Sequence, residues 1–150
     1  MIVRDILNMK GGAIFSAAPD SEVTDAVGLM VKNDIGSLVV MSGGQMTGML
    51  TFREVLKALD MRRGNLAGLR LQDVMVGDPV CGSPGDTLDE VRAVMTKNHI
   101  RYLPVTESGK LLGVISFHDI AKAVIKETSF ENRLLKRYIG NRSATDDAGL

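Results

Sequence analysis

Two segments of this chain place a hydroxyl three residues ahead of a carboxylate where an apolar run gives way to a helical pattern. They are Gly48-Met49-Leu50-Thr51-Phe52-Arg53-Glu54 and Gly113-Val114-Ile115-Ser116-Phe117-His118-Asp119. A hydroxyl at a strand-to-helix turn lies beside the free amides of the first helical turn, a ready place to hold an anion such as a phosphate. A carboxylate three residues on offers acceptors suited to a vicinal diol, the use that dinucleotide-binding folds make of their acid. The same spacing is also a helix cap that needs no ligand. The remaining reactive side chains point away from catalysis. Cys81 is the single cysteine; it has no His, Asn or Asp at a spacing that suggests a dyad, and it reads as a small buried hydrophobe. His99 and His118 lack the spaced partners of a metal site. No catalytic residue and no metal are therefore expected.

These two segments belong to a larger internal repeat. Pro19 returns at Pro84, an offset of 65, and the register holds without a gap through Met30/Met95, Asn33/Asn98, Leu38/Leu103, Gly48/Gly113 and Ala58/Ala123. Val23, Ala26, Val27 and Met30 fall on one helical stripe, matched by Leu88, Val91 and Met95. Thr87 and Glu90 form a capping box for the second of these helices, and Asp20 or Ser21 is the expected cap of the first. Ser37–Met41 and Tyr102–Thr106 read as strands that turn through Gly43-Gly44 and Ser108-Gly109 onto Met46–Thr51 and Leu111–Ser116. Pro104 cannot donate to a ladder, which predicts an edge or a bulge there. A second helix follows in each copy. Ahead of each copy, Val3–Leu7 matches Leu71–Met75 at an offset of 68, and the short apolar stretches Ala13–Phe15 and Pro79–Cys81 predict one further strand apiece. The unit is β-α-β-β-α, and two such units, each with one apolar face, are best satisfied by packing on each other across a cleft.

Composition bounds the rest. With 45% hydrophobic residues, the chain can bury one core or two small fused ones. Eighteen basic residues balance eighteen acidic ones, which argues against a broad surface for duplex nucleic acid or anionic lipid, so any anion site is local. Aromatic residues at 4% also disfavour base stacking along a nucleic acid. No apolar run is long enough to span a bilayer, and Arg4, Asp5, Asn8 and Lys10 interrupt the start before a signal-like core forms. A cytoplasmic protein with neither membrane nor nucleic acid as partner is expected. The stripe Phe130, Leu134, Leu135 and Tyr138 reads as an added helix that caps its own core or meets another subunit.

In its motif order the chain resembles the cystathionine-β-synthase (CBS) domain pair. Each copy carries a Pro after its first strand, a helix, a strand of the Leu-Pro-Val kind, and then Gly-hydrophobic-hydrophobic-Ser/Thr-x-x-Asp. The resemblance implies an α/β (α+β) fold of two repeats in a pseudo-twofold pair, a Bateman module. Its parts would be repeat 1 over 1–62, a linker over 63–70, repeat 2 over 71–127, a helical extension over 128–140 and a disordered tail over 141–150.

The resemblance also implies an adenine nucleotide between the halves, AMP first and ATP, ADP or NAD as alternatives, with no other cofactor required. It implies a homodimer and a sensing role, such as energy sensing, that signals to an unidentified protein partner. The better site would place Ser116 on a phosphate and Asp119 on the ribose, with His118, Val80, Cys81, Arg101 and Tyr102 around them. A weaker site would use Thr51, Arg53, Ile14, Phe15, Gly36 and Ser37, and there Glu54 replaces the family's Asp. The rival expectation is an interaction module whose cleft is empty.

Overall fold

Gly43, Gly44, Ser108 and Gly109 all have positive φ, the geometry that lets a two-residue turn follow the twist of its strands. They close two antiparallel hairpins, β2 (Ser37–Ser42) with β3 (Gln45–Thr51) and β4 (Tyr102–Glu107) with β5 (Lys110–Ser116). The computed structural model describes the backbone of residues 1–148 and the side chains of residues 1–140. Both hairpins shift register at equivalent points, Val40/Met41 and Val105/Thr106. Each is preceded by an amphipathic helix, α2 (Val23–Lys32) or α5 (Leu88–Lys97), and followed by another, α3 (Phe52–Met61) or α6 (Phe117–Ala148). Thr87 and Glu90 make the expected capping box, with Thr87 N–H donating to Glu90 Oε2 at 2.9 Å and Glu90 N–H to Thr87 Oγ1 at 3.2 Å. In the first copy the corresponding N-cap is Glu22, which makes no side-chain cap bond, so neither Asp20 nor Ser21 fills that role.

The lead-ins form helices, α1 (Val3–Lys10) and α4 (Leu71–Val74), and each docks on the other repeat. Val3 and Ile6 are buried with Leu88, Val91, Met95, Leu103, Ile115 and Ile120 in the core of repeat 2. Leu71 is buried with Val23, Leu38, Val40 and Leu50 in the core of repeat 1. The backbone repeats this exchange. Val3 N–H donates to Asp86 O and Leu71 N–H to Ser21 O, both at 2.9 Å, and Ile2 bridges Thr87 as Arg70 bridges Glu22. Fully burying a Val, Ile or Leu side chain stabilises by about 1.5–3 kcal/mol, so each crossing contributes to the partner repeat's core. The sequence boundaries 1–62 and 71–127 therefore cut across the physical cores.

The crossing also accounts for the glycine of each repeated motif. A Cβ on Gly48 would lie 2.7 Å from both Met75 Sδ and Val76 O, where the second lead-in passes over β3. A Cβ on Gly113 would lie 2.9 Å from Leu7 Cδ2 of the first lead-in. Val76 then pairs with Met49 through two backbone bonds of 2.9 and 3.0 Å.

The first strands depart from expectation. In repeat 1 the strand is β1 (Ser16–Ala17), just beyond Ala13–Phe15, and it runs parallel to β2 with Ser16 opposite Val39 and Ala17 opposite Val40. Val39 N–H donates to Phe15 O at 3.1 Å. The equivalent of Val39 is Pro104, which has no N–H to give. Repeat 2 accordingly keeps a single bridge, Gly82 to Val105, in place of a strand at Pro79–Cys81.

At the other end, α6 continues without a break from the repeat into the expected extension and on through most of the stretch 141–150 expected to be disordered. The side chains of that stretch, and all of residues 149–150, lie outside the described residues. Phe130, Leu134, Leu135 and Tyr138 remain exposed on this helix. No helix among the described residues is long and apolar enough to cross a membrane.

Gly48→Ala is expected to lower the unfolding free energy by about 1–3 kcal/mol, because the carbonyl of Val76 cannot rotate away as a side chain can. Gly113→Ala meets only the end of a leucine and should cost less than half as much. Urea titration of the two variants checks this, and equal costs would count against the crossed packing.

Candidate functional site

The crossing leaves two clefts between the repeats. The larger, about 970 Å³, is lined by Phe15, Gly36, Ser37 and Phe52 of repeat 1 and by His99, Arg101, Tyr102, Ser116, Phe117 and His118 of repeat 2, with Lys10 at the end of α1. The smaller, about 570 Å³, is lined by Thr51, Arg53, Glu54 and Lys57 of repeat 1 together with Asp78, Val80, Arg101 and Tyr102. Both are of the size that small ligands occupy, with apolar walls and a few convergent polar groups.

A shared wall separates them. Tyr102 meets Phe52 edge to face, with ring centroids 6.2 Å apart at 79°, and the Arg101 guanidinium sits 5.4 Å over the Phe52 ring. The Tyr102 ring occupies the space where a Cβ on Gly36 would be. Gly36 and Ser37 are the repeat-1 counterparts of Arg101 and Tyr102 at the offset of 65. The smaller pair in repeat 1 therefore makes room for the larger pair of repeat 2.

Ser116, which lines the larger cleft, closes a capping box with Asp119 at the start of α6; Asp119 itself lines neither cleft and meets the larger one through Lys10. Ser116 N–H donates to Asp119 Oδ2 at 2.8 Å, and Asp119 N–H donates to Ser116 Oγ at 3.0 Å. The same Oδ2 accepts from Lys10 Nζ at 2.7 Å, and that ammonium also donates to Val114 O at 2.8 Å. Partial burial pushes the Asp119 carboxyl up, but the Lys10 ammonium and the Ser116 amide and hydroxyl outweigh it and hold it below its ordinary value. The cap and the charged site are thus the same atoms. In the smaller cleft Thr51 N–H donates to Glu54 Oε2 at 2.8 Å, the Thr51 hydroxyl donates to the same oxygen, and Arg53 N–H donates to Thr51 Oγ1 at 3.2 Å. Glu54 keeps the capping geometry that an aspartate would have.

The residues expected to act together are regrouped by the crossing. Ser116, His118, Arg101 and Tyr102 share the larger cleft, with Asp119 held beside them by Lys10. Phe15, Gly36 and Ser37, expected to accompany Thr51, line this cleft instead. Val80, expected with Ser116, lines the smaller cleft with Thr51, Arg53 and Glu54. Ile14 and Cys81 line neither. Cys81 is exposed rather than buried; its Sγ donates to Pro79 O at 3.4 Å, and partial burial, then the Asp78 charge, push its thiol up. It is correspondingly a poor nucleophile. Lys10 is the residue that sequence reasoning missed. Its one signal is position, at the end of the lead-in and immediately before Gly11-Gly12.

Because the folded value of Asp119 lies below 3.8, its stabilising contribution is complete above that value and is lost as pH falls through the lower, folded one. Asp119→Asn is therefore expected to be less stable than the natural chain at neutral pH. The two should converge as the pH drops from about 5 to about 2, measured as urea midpoints across that range. A difference that stays constant over the range would contradict the ion pair.

The comparisons agree with this architecture. The family model described as the CBS domain matches residues 3–61 and 71–126. A mitochondrial CBS domain-containing protein of Arabidopsis thaliana is 27% identical over 146 residues, which cover 91% of this chain and 71% of that one. A solved CBS-domain protein of Burkholderia ambifaria superposes with a TM-score of 0.80 at 31% identity, over 84% of this chain and 95% of that one. The CBS domain pair of protein MJ0100, solved in complex with 5′-methylthioadenosine and S-adenosyl-L-methionine, superposes with a TM-score of 0.75 at 20% identity over 85% of this chain and 98% of that one. With two matched repeats whose lead-ins cross around a pair of clefts, the chain belongs to the CBS domain family.

Proposed function

We propose that the chain is an adenine-nucleotide sensor without a reaction of its own, binding AMP in the larger cleft, with ATP, ADP or NAD as alternative ligands. The observation that carries this reading is the meeting of Ser116, at the start of α6, with aromatic walls supplied by both repeats, with Asp119 joined to the cleft through Ser116 and Lys10. The helix-start amides, Ser116, His118 and Arg101 offer donors for a phosphate. Asp119 offers acceptors to the ribose hydroxyls, and Phe15, Phe52 and Tyr102 offer faces to the base. The adenosine ligands of the MJ0100 pair support the class of ligand. Thr51, Arg53 and Glu54, with Val80, form the weaker second site.

A ligand that touches both repeats biases their relative orientation only as far as it binds one arrangement better than another. In this reading the change passes to a protein partner in the cytoplasm, and the module works as a homodimer. The exposed stripe Phe130, Leu134, Leu135 and Tyr138 favours the alternative, an interaction module that needs no ligand.

Thermal unfolding with and without each nucleotide separates the two. A ligand at 100 times its dissociation constant should stabilise by about 2.7 kcal/mol, a midpoint rise of several degrees. The rise should vanish in Asp119→Ala and survive in Glu54→Ala. No rise with any nucleotide would leave the interaction module as the better account.

A further inference from the structure

We propose that Lys10 makes the larger cleft select a phosphorylated ligand, by moving its ammonium from Asp119 to the arriving phosphate. This rests on the nucleotide reading and adds to it the residue that discriminates a nucleotide from its nucleoside. Lys10 ends α1, lines the cleft, and donates to Asp119 Oδ2 at 2.7 Å and to Val114 O at 2.8 Å. Every hydrogen bond accepted by the Asp119 carboxylate among the described residues falls on that one oxygen. While Lys10 is there, it competes with a ribose hydroxyl for Oδ2, and Oδ1 is the one acceptor left to the diol. A phosphate offers the ammonium a stronger, charge-assisted partner, and the flexible four-carbon stem lets the charge swing while the helix stays in place. Moving it leaves Oδ2 with the Ser116 amide alone, which opens a second acceptor beside Oδ1 for the diol, so the two recognition events reinforce one another.

Of the other basic groups of the cleft, Arg101 and His99 line both clefts, and Arg101 is held over Phe52. His118 shares the larger cleft with Lys10, and among the described residues Lys10 is the basic side chain bonded to Asp119. The second lead-in helix is shorter, ending at Val74, and the charged residue that follows it and lines the smaller cleft is Asp78. Only the larger cleft therefore receives a cation from its crossing lead-in. The smaller one has Asp78 and Glu54 in its lining beside Arg53, Lys57 and Arg101, so its cations come from α3 and the residue before β4 and not from the second lead-in.

Isothermal titration of the full chain with AMP and with adenosine tests this on the natural protein, Lys10→Met and Lys10→Arg. Lys10 sits at an exposed helix end, and circular dichroism verifies that the variants fold. Expected is a natural preference for AMP, a loss in Lys10→Met of about tenfold or more for AMP with adenosine changed by less than about threefold, and a preference largely kept in Lys10→Arg. If Lys10→Met weakens both ligands equally, or keeps the natural preference, the selectivity role is overturned while the nucleotide reading stands. If the natural protein binds neither, the nucleotide reading falls and the role of Lys10 falls with it.

Discussion

Everything in this molecule depends on the exchange of its two lead-in helices. A single repeat presents a hairpin with an apolar face that its own flanking helices do not fully cover. Val3 and Ile6 complete that face in repeat 2, and Leu71 completes it in repeat 1. Neither repeat therefore has a whole core without the other, and the orientation of the halves is fixed by the same contacts that make them stable. The clefts follow from this. Their walls come from both repeats because the chain crosses at the lead-ins, and the motif glycines, Gly48 and Gly113, are small because those lead-ins pass directly over them.

The second economy is that local structure and recognition share atoms. The hydroxyl-carboxylate pairs at Thr51/Glu54 and Ser116/Asp119 cap the helices that follow them. The hydroxyl residue of each cap, Ser116 or Thr51, lines a cleft at a helix start, so the device that ends a strand also prepares a place for an anion. In the larger cleft the Asp119 charge is balanced by Lys10, which keeps a partly buried carboxylate ionised and ready. In the smaller cleft the segment after the second lead-in places Asp78 in the lining, beside Arg53, Glu54 and Lys57. One fold symmetry thus yields two chemically distinct cavities.

Much of this was legible from residue types and spacing. The repeat, the hairpin turns at Gly43-Gly44 and Ser108-Gly109, the Thr87/Glu90 cap and the disruption at Pro104 all rest on local chemistry that a sequence states directly. The lead-ins did not declare themselves, because a segment as short as Val3–Leu7 fits a helix or a strand equally well. Nor can periodicity reveal that a helix docks on the other repeat, since that is a property of chain topology. That one omission accounts for the exchange of Phe15 with Val80 between the two sites and for the absence of Lys10 from the expected set. The missing strand at Pro79–Cys81 was inferable in part, for Pro104 removes the donor that Val39 uses in repeat 1.

The central claim is that the functional cavity is built from both repeats, pairing the first-strand region of one with the Ser116-x-x-Asp119 motif of the other. Hydrogen–deuterium exchange with and without AMP, read peptide by peptide, measures this most directly. The account predicts added protection in two separated stretches at once, Phe15–Ser37 and Ser116–Asp119. Protection confined to one repeat, or to the stretch around Thr51 with Asp78–Val80, would contradict it.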